Sequence, residues 1–297
     1  MPQLLLAADP KPTGLSPEIL GNLATRALLA EVNLPGKPGL VGPDGTRAHS
    51  DMDVELMRMS ARTLESTFVE FAEAGRLMDV GQELRDTVGK IGRQGEETMM
   101  AATGGVNTHR GAIWNLGLLV IATAGLTSLP QFDQFNAAAI THRAGRLASI
   151  ADSYADSRPR PGATARKRYR VGGAVSEAAS GFPHVLLTLR GMGFPDGQAP
   201  QPPSRDQQLK GLLACMSSLD DTCLLHRGGA EGLAFVQTGA QNLLAHAKPG
   251  RPLDSDALHD FDQQLTRQDL SAGGSADLLA CALFLTSILG AHHANDH

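Results

Sequence analysis

Four stretches of this chain combine charged or ligating side chains with glycine at spacings that can do chemistry. The longest is Thr103-Gly-Gly-Val-Asn-Thr-His-Arg-Gly111. Gly104 and Gly105 permit positive φ and let the backbone approach a ligand closely. Asn107 or Thr108 is then expected to cap a helix, whose unpaired N–H groups and dipole form an anion site. His109 and Arg110 add donors at that end, where cations call for a counter-anion such as phosphate. The competing reading is an ordinary helix-start turn with Arg110 in solvent. Just upstream, Gly95-Glu96-Glu97-Thr98 brings Glu96 and Glu97 close in sequence.

The second stretch is Pro35-Gly-Lys-Pro-Gly-Leu-Val41, followed by Ala48-His-Ser-Asp-Met-Asp53. Turn residues on both sides of Lys37 present its ammonium from a stiff loop. His49, Asp51 and Asp53 fall two apart, and in a loop entering a helix N-terminus all three can converge. That set suits a hard divalent cation or general-base catalysis. Alternatively, Asp51 or Asp53 merely caps the next helix, a contribution of about 1 kcal/mol.

The third stretch, Asp220-Asp-Thr-Cys-Leu-Leu-His-Arg-Gly-Gly229, sets acids and then His226 and Arg227 before a glycine pair. An acid–His–Arg network that only fixes packing is its alternative. In the fourth, Gly273-Gly274-Ser275 opens a strongly apolar helix with Asp277 in its first turn. Between these lies a basic cluster, Arg158, Arg160, Arg166, Lys167, Arg168 and Arg170. It is either a solvated loop or a loop that closes over phosphates.

The elements that must hold these residues are helices. Leu and Ala dominate the apolar set while Val and Ile are sparse, which favours helix over strand. Ser16-Pro17-Glu18 is a helix start with a hydroxyl cap and proline at the first position. Further helices are expected from Asp51 or Asp53 to Gly75, from Asn107 or Thr108 to Gly125, and over 133–153, 176–190, 205–226, 231–247, 254–270 and 275–291. The segments 36–45, 159–173 and 191–204 are Gly/Pro-rich breaks. No alternating strand pairs and no fixed-period repeat are evident. The fold expected is all-α: one globular multi-helix catalytic domain over 1–297, with Gly-rich loops at helix N-termini and loose ends at 1–15 and 291–297.

Composition narrows the function. With 26 basic and 31 acidic residues, net charge −5 and 4% aromatics, the chain lacks the basic excess and stacking aromatics of a nucleic-acid binder. The longest apolar run, Leu116 to Leu126, is short of the roughly 20 residues that span a bilayer. A soluble cytoplasmic protein follows as the expectation. Cys215, Cys223 and Cys281 form no CxxC pair and are expected to be buried free thiols. The P-loop, HExxH and GxSxG motifs are absent.

Taken together, Glu31 with Lys37-Pro-Gly-Leu-Val41, His49-Ser-Asp-Met-Asp53, Thr103 to Gly111, Gly181-Phe-Pro183, Asp221-Thr with Leu225 to Gly229, and Gly273 to Ala280 resemble the triphosphoribosyl-dephospho-CoA synthase family. Arg110 stands where that family more often has Lys, which replaces a point charge by a planar fork. The resemblance implies that ATP and 3′-dephospho-CoA give 2′-(5″-triphosphoribosyl)-3′-dephospho-CoA and adenine. The product would pass to a prosthetic-group transferase serving the acyl carrier protein of malonate decarboxylase or citrate lyase. Length and the lack of a fused partner lean to the malonate system. The implied roles are metal binding or base catalysis for Asp51 and Asp53, with His49 a second base. Glu96 or Glu97 would complete a Mg2+ shell. Phosphates fall to Lys37, Arg110 and Arg227, assisted by Asn107, His109, His226, Ser275 and the N–H groups after Gly104-Gly105 and Gly273-Gly274. The rival readings are a metal-dependent nucleotide N-glycosidic hydrolase and a non-catalytic helical module that binds an acyl carrier protein.

Overall fold

A computed structural model describes residues 15–45, 49–128, 135–155, 161–199, 201–247 and 251–294. These residues form thirteen helices and no strand. Helix α1 (Pro17–Val32) starts as its sequence requires, with Ser16 Oγ accepting from the Ile19 N–H at 3.3 Å. The helix expected up to Gly75 is two, α2 (Val54–Thr63) and α3 (Glu65–Leu77), joined at Leu64.

Helix α4 (Gln82–Ala102) has no counterpart among the sequence-based expectations. Gly89, Gly92 and Gly95 lower its intrinsic helix propensity. Tertiary contact is the reason for two of them. A Cβ on Gly89 would stand 2.2 Å from the Asp152 carboxylate, and one on Gly95 would stand 2.6 Å from Thr67.

Helices α5 (Arg110–Thr127) and α13 (Gly273–Ala294) are the centre of the fold. Each is apolar on all sides, as a core helix must be. Each is also long and apolar enough to cross a membrane by length and composition, with 78% and 72% of the respective windows buried inside the protein. The expectation that no apolar stretch reaches that length is therefore corrected. Small residues flanking the Leu-rich run extend it, and they are spent on packing. A single cluster of buried side chains joins α1, α3, α5 and α13 to α6 (Ala137–Ala148), α9 (Pro183–Gly191) and α10 (Arg205–Met216).

Three further differences have local causes. The basic segment expected as a break contains α7 (Pro161–Tyr169), which begins on a proline whose φ suits a first helical position. The helix expected over 176–190 is interrupted between α8 (Gly173–Ala179) and α9, where Gly181 and Phe182 both take positive φ, 78° and 57°. Residues 217–221 end α10 before α11 (Thr222–His246), and the expected break at the glycine pair is a kink, with Gly229 at φ 64°. Helix α12 (Ser255–Arg267) falls within the expected 254–270.

Helices α3 and α5 touch backbone to backbone. A Cβ on Gly75 would stand 2.4 Å from the Ile121 carbonyl oxygen. Gly75→Ala is expected to lower unfolding stability by about 1–3 kcal/mol, as overpacking does, read as a drop in the urea midpoint.

Candidate active site

The first turns of α5, α11 and α13 open onto one cavity of about 600 Å³, closed on other sides by α1, α4, the loop before α2, and α7 with α8. All four stretches singled out from the sequence reach it. His49, Asp51, Glu96, Asn107, His109, Arg110, His226, Arg227, Gly273 and Gly274 line it. Lys37, Asp53, Glu97, Gly104, Gly105 and Ser275 do not.

Each exclusion has a physical reason. Gly104 and Gly105, at φ 65° and 93°, terminate α4, and the Gly105 N–H donates to the Met100 carbonyl at 2.8 Å. They serve as a left-handed helix end rather than a cradle for a ligand. Glu97 follows Glu96 by one residue, about 100° around α4, and points to solvent. Asp53 Oδ1 accepts from the Leu56 N–H at 2.8 Å and caps α2, the alternative left open by the sequence. It faces an outer hollow shared with His49 and Asp51. Lys37 is buried, and its ammonium donates to Glu31 Oε1 and the Glu31 carbonyl, both at 2.5 Å. Burial pushes the Glu31 carboxyl up while Lys37 pulls it back.

The start of α13 is also committed internally. Asp221 is buried and caps α11 by accepting from the Cys223 N–H at 2.9 Å. Its other oxygen accepts from the Ser275 N–H at 3.0 Å and Ser275 Oγ at 3.2 Å. The anion at that glycine-rich start is the protein's own carboxylate. A Cβ on Gly274 would crowd it at 3.1 Å.

Helix α5 begins after His109, not after Asn107 or Thr108. The Ser60 hydroxyl holds this turn, 2.6 Å from Thr108 Oγ1 and 2.8 Å from His109 Nδ1. Burial, and then the nearby Lys37, depress the His109 pKa to about 4. His109 is thus a neutral imidazole rather than a cationic phosphate donor, and its buried Nε2 has no hydrogen-bond partner among the described residues. Arg110 stands at the helix start as expected, with Nε 3.1 Å from Glu96 Oε2.

On the loop side, Arg227 Nη2 donates to His49 Nδ1 at 2.8 Å, and Nη1 donates to the Asp269 carbonyl at 3.1 Å. Asp51 Oδ1 lies 3.4 Å from the same His49 nitrogen. Burial and then Arg227 lower the His49 pKa against the pull of Asp51. While Nδ1 accepts from Arg227 the neutral imidazole carries its proton on Nε2, so His49 gains an open acceptor only when Arg227 turns away. Cys223, expected to be buried, instead opens into the cavity, whereas Cys215 and Cys281 are buried.

The structure adds residues that sequence reasoning left out of the site. Arg166 of α7 lines the cavity and has its Nε buried without a hydrogen-bond partner among the described residues. Arg158 and Arg160 of that basic cluster lie outside the described residues. Asn115 is buried on the wall with Oδ1 unpartnered in the same sense. Its signal was visible: an amide inside an otherwise apolar helix. Asp277 and Glu31 also face the cavity.

Comparison with known proteins bears on this geometry. The family model described as ATP:dephospho-CoA triphosphoribosyl transferase matches residues 17–296. The chain belongs to that family. It is 42% identical to a 2-(5″-triphosphoribosyl)-3′-dephosphocoenzyme-A synthase of Klebsiella pneumoniae over 278 residues, 91% of this chain and 95% of that one. A Pseudomonas fluorescens relative named for the same enzyme is 44% identical over 284 residues, 93% and 94% of the two chains. A crystal structure from Archaeoglobus fulgidus, described as a triphosphoribosyl-dephospho-CoA synthase, shares the fold. It has a TM-score of 0.51 and 15% identity, and the match covers 78% of this chain and 98% of that one. Family membership thus agrees with the all-helical fold.

In this member the neutral His109 makes stability depend on pH. Its pKa is 6.5 when unfolded and about 4 when folded. Between those values the unfolded chain binds a proton that the folded one refuses, so stability falls as pH drops through that window. Wild type is expected to lose about 3 kcal/mol more than His109→Gln between pH 7 and pH 4, measured by urea unfolding at each pH.

Proposed function

We propose that this chain transfers the 5-triphosphoribosyl group of ATP to the ribose 2′-hydroxyl of 3′-dephospho-CoA and releases adenine. The observation that carries the reading is the cavity itself. Three helix starts and the α7 segment bring Arg110, Arg166 and Arg227 around a hollow that also holds carboxylates, in a chain matched to this family from residue 17 to 296. Substitution at an anomeric carbon passes through an oxocarbenium-like centre, which nearby carboxylates stabilise. The triphosphate needs cations and donors, which the three arginines and His226 supply.

Mg2+ fits the carboxylates present in one mode only. Among the described residues no three His, Cys, Asp or Glu side chains form a metal cluster. Mg2+ bound to nucleotides is commonly held by one or two carboxylates plus the phosphates themselves. Asp51 and Glu96, both on the cavity wall, are the residues that would hold it. The ion, when bound, neutralises phosphate charge. His49, kept neutral and beside Asp51, would take the 2′-hydroxyl proton on Nδ1 once Arg227 leaves that nitrogen for a phosphate. The product would then serve a prosthetic-group transferase that loads an acyl carrier protein, in a malonate decarboxylase or citrate lyase system.

The test incubates the protein with ATP, Mg2+ and dephospho-CoA and follows products by mass. Free adenine with the combined nucleotide, formed only when the acceptor is present, is the expected result. Adenine released equally without acceptor would mean hydrolysis instead, and none at all would leave a binding module. Arg166→Ala is expected to raise the KM for ATP about ten- to hundredfold, the loss of one charge-assisted hydrogen bond. His49→Ala is expected to lower kcat by about 10²–10⁴.

A further inference from the structure

Among the acidic side chains that line the cavity, Glu31, Glu177 and Asp221 are buried and Asp277 is half-buried. Three are already engaged. Glu31 binds Lys37, and Glu177 accepts from the His184 N–H and pairs with His184 Nδ1, both at 2.7 Å. Asp221 caps two helices. Among the described residues no hydrogen bond reaches the Asp277 carboxyl, and the charges that bear on it are the carboxylates of Glu31 and Asp221. It lies against the start of α5: a Cβ on Gly111 would stand 2.0 Å from Asp277 Oδ2. One helical turn further along α5, Asn115 also lines the cavity, with its Oδ1 buried and without a hydrogen-bond partner among the described residues.

These two groups match one edge of a purine. Adenine carries its acceptor N7 beside the donor N6 amino group. An amide oxygen fits the amino group, and a carboxylic acid fits N7. Resting on the reaction proposed above, we infer that Asp277 is the general acid that protonates adenine N7 as the base departs, with Asn115 Oδ1 accepting from N6.

The step balances. The C1′–N9 bond breaks and its electron pair leaves with adenine, which the Asp277 proton neutralises. The acceptor 2′-oxygen forms the new C1′–O bond and passes its proton to His49 and then solvent, from which Asp277 is reprotonated. Burial, and then Glu31 and Asp221, raise the Asp277 pKa well above the ordinary carboxylate value, so the acid is loaded before substrate arrives. The titratable and charged groups around it are Glu31, itself paired with Lys37, Asp221 and Cys223 at the α11 start, and Cys281 on α13.

The experiment compares wild type and Asp277→Asn on ATP and on 7-deaza-ATP, whose base has no N7 to protonate. On ATP the variant is expected to turn over about 10²–10⁴-fold more slowly while binding ATP within about threefold of wild type. On 7-deaza-ATP the two proteins should be equally slow. Unchanged turnover of the variant on ATP overturns the inference, as does a variant penalty that persists in full on the analogue. If Asp277→Asn does not fold, wild type decides. Its kcat on ATP must fall as pH rises through the Asp277 pKa, and a rate flat or rising there overturns the assignment. Wild type that releases no acceptor-dependent adenine defeats the reaction itself, an outcome distinct from all of these.

Discussion

The buried carboxylate of Asp221 ties two helix starts that are distant in sequence. It accepts from the Cys223 N–H of α11 and from the Ser275 N–H and hydroxyl of α13. Burial pushes its pKa up, and these donors together with the Gly274 N–H pull it back. A helix leaves its first N–H groups without intrahelical partners, and a buried end needs them satisfied. Asp221 does this for two helices at once, so the first turns of α11 and α13 meet at a fixed distance. Cys223 sits on the first turn of α11, with His226 and Arg227 just beyond it and Asp277 just beyond the first turn of α13, and the cavity takes its shape from their meeting.

Charge is unevenly arranged around that cavity. Several carboxylates line it, and Lys37 and His184 pair with two of them from behind the wall. Arginines come from three separate helices, α5, α7 and α11. That arrangement sets a cationic part suited to a polyanion beside a part lined by acid groups. The residues that looked most available in sequence are in several cases the ones satisfied internally. Lys37 holds Glu31, Asp53 caps α2 and Ser275 holds Asp221. Each relieves a buried or helix-end group that would otherwise cost about 1–3 kcal/mol, and that duty removes it from the cavity surface.

Glycine has two unrelated tasks here, and sequence shows only that glycine is present. At Gly104 and Gly105 it ends α4 in left-handed conformations. At Gly111 it clears space for the Asp277 carboxylate. The TGGVNTHRG stretch therefore contributes through its second half, Asn107 to Gly111, rather than through its glycine pair.

Much of the fold was legible without coordinates, because helix periodicity, caps and breakers act over a few residues. The all-helical class, the Ser16-Pro17 start, the apolar helices α5 and α13, and the stretches that reach the cavity all follow from local pattern. Helix α4 did not, since its glycines obey contacts with Asp152 and Thr67 that no local pattern encodes. Sequence marked Asp277 as an acid in a helix's first turn and Arg166 as one of several clustered cations. Which acid stays unpaired, which cation faces inward, and whether His109 is charged depend on burial and on partners from remote elements. Those are properties of the assembled interior: dielectric and hydrogen-bond satisfaction are set by every element packed around a group, and the chain's order in sequence carries no record of them.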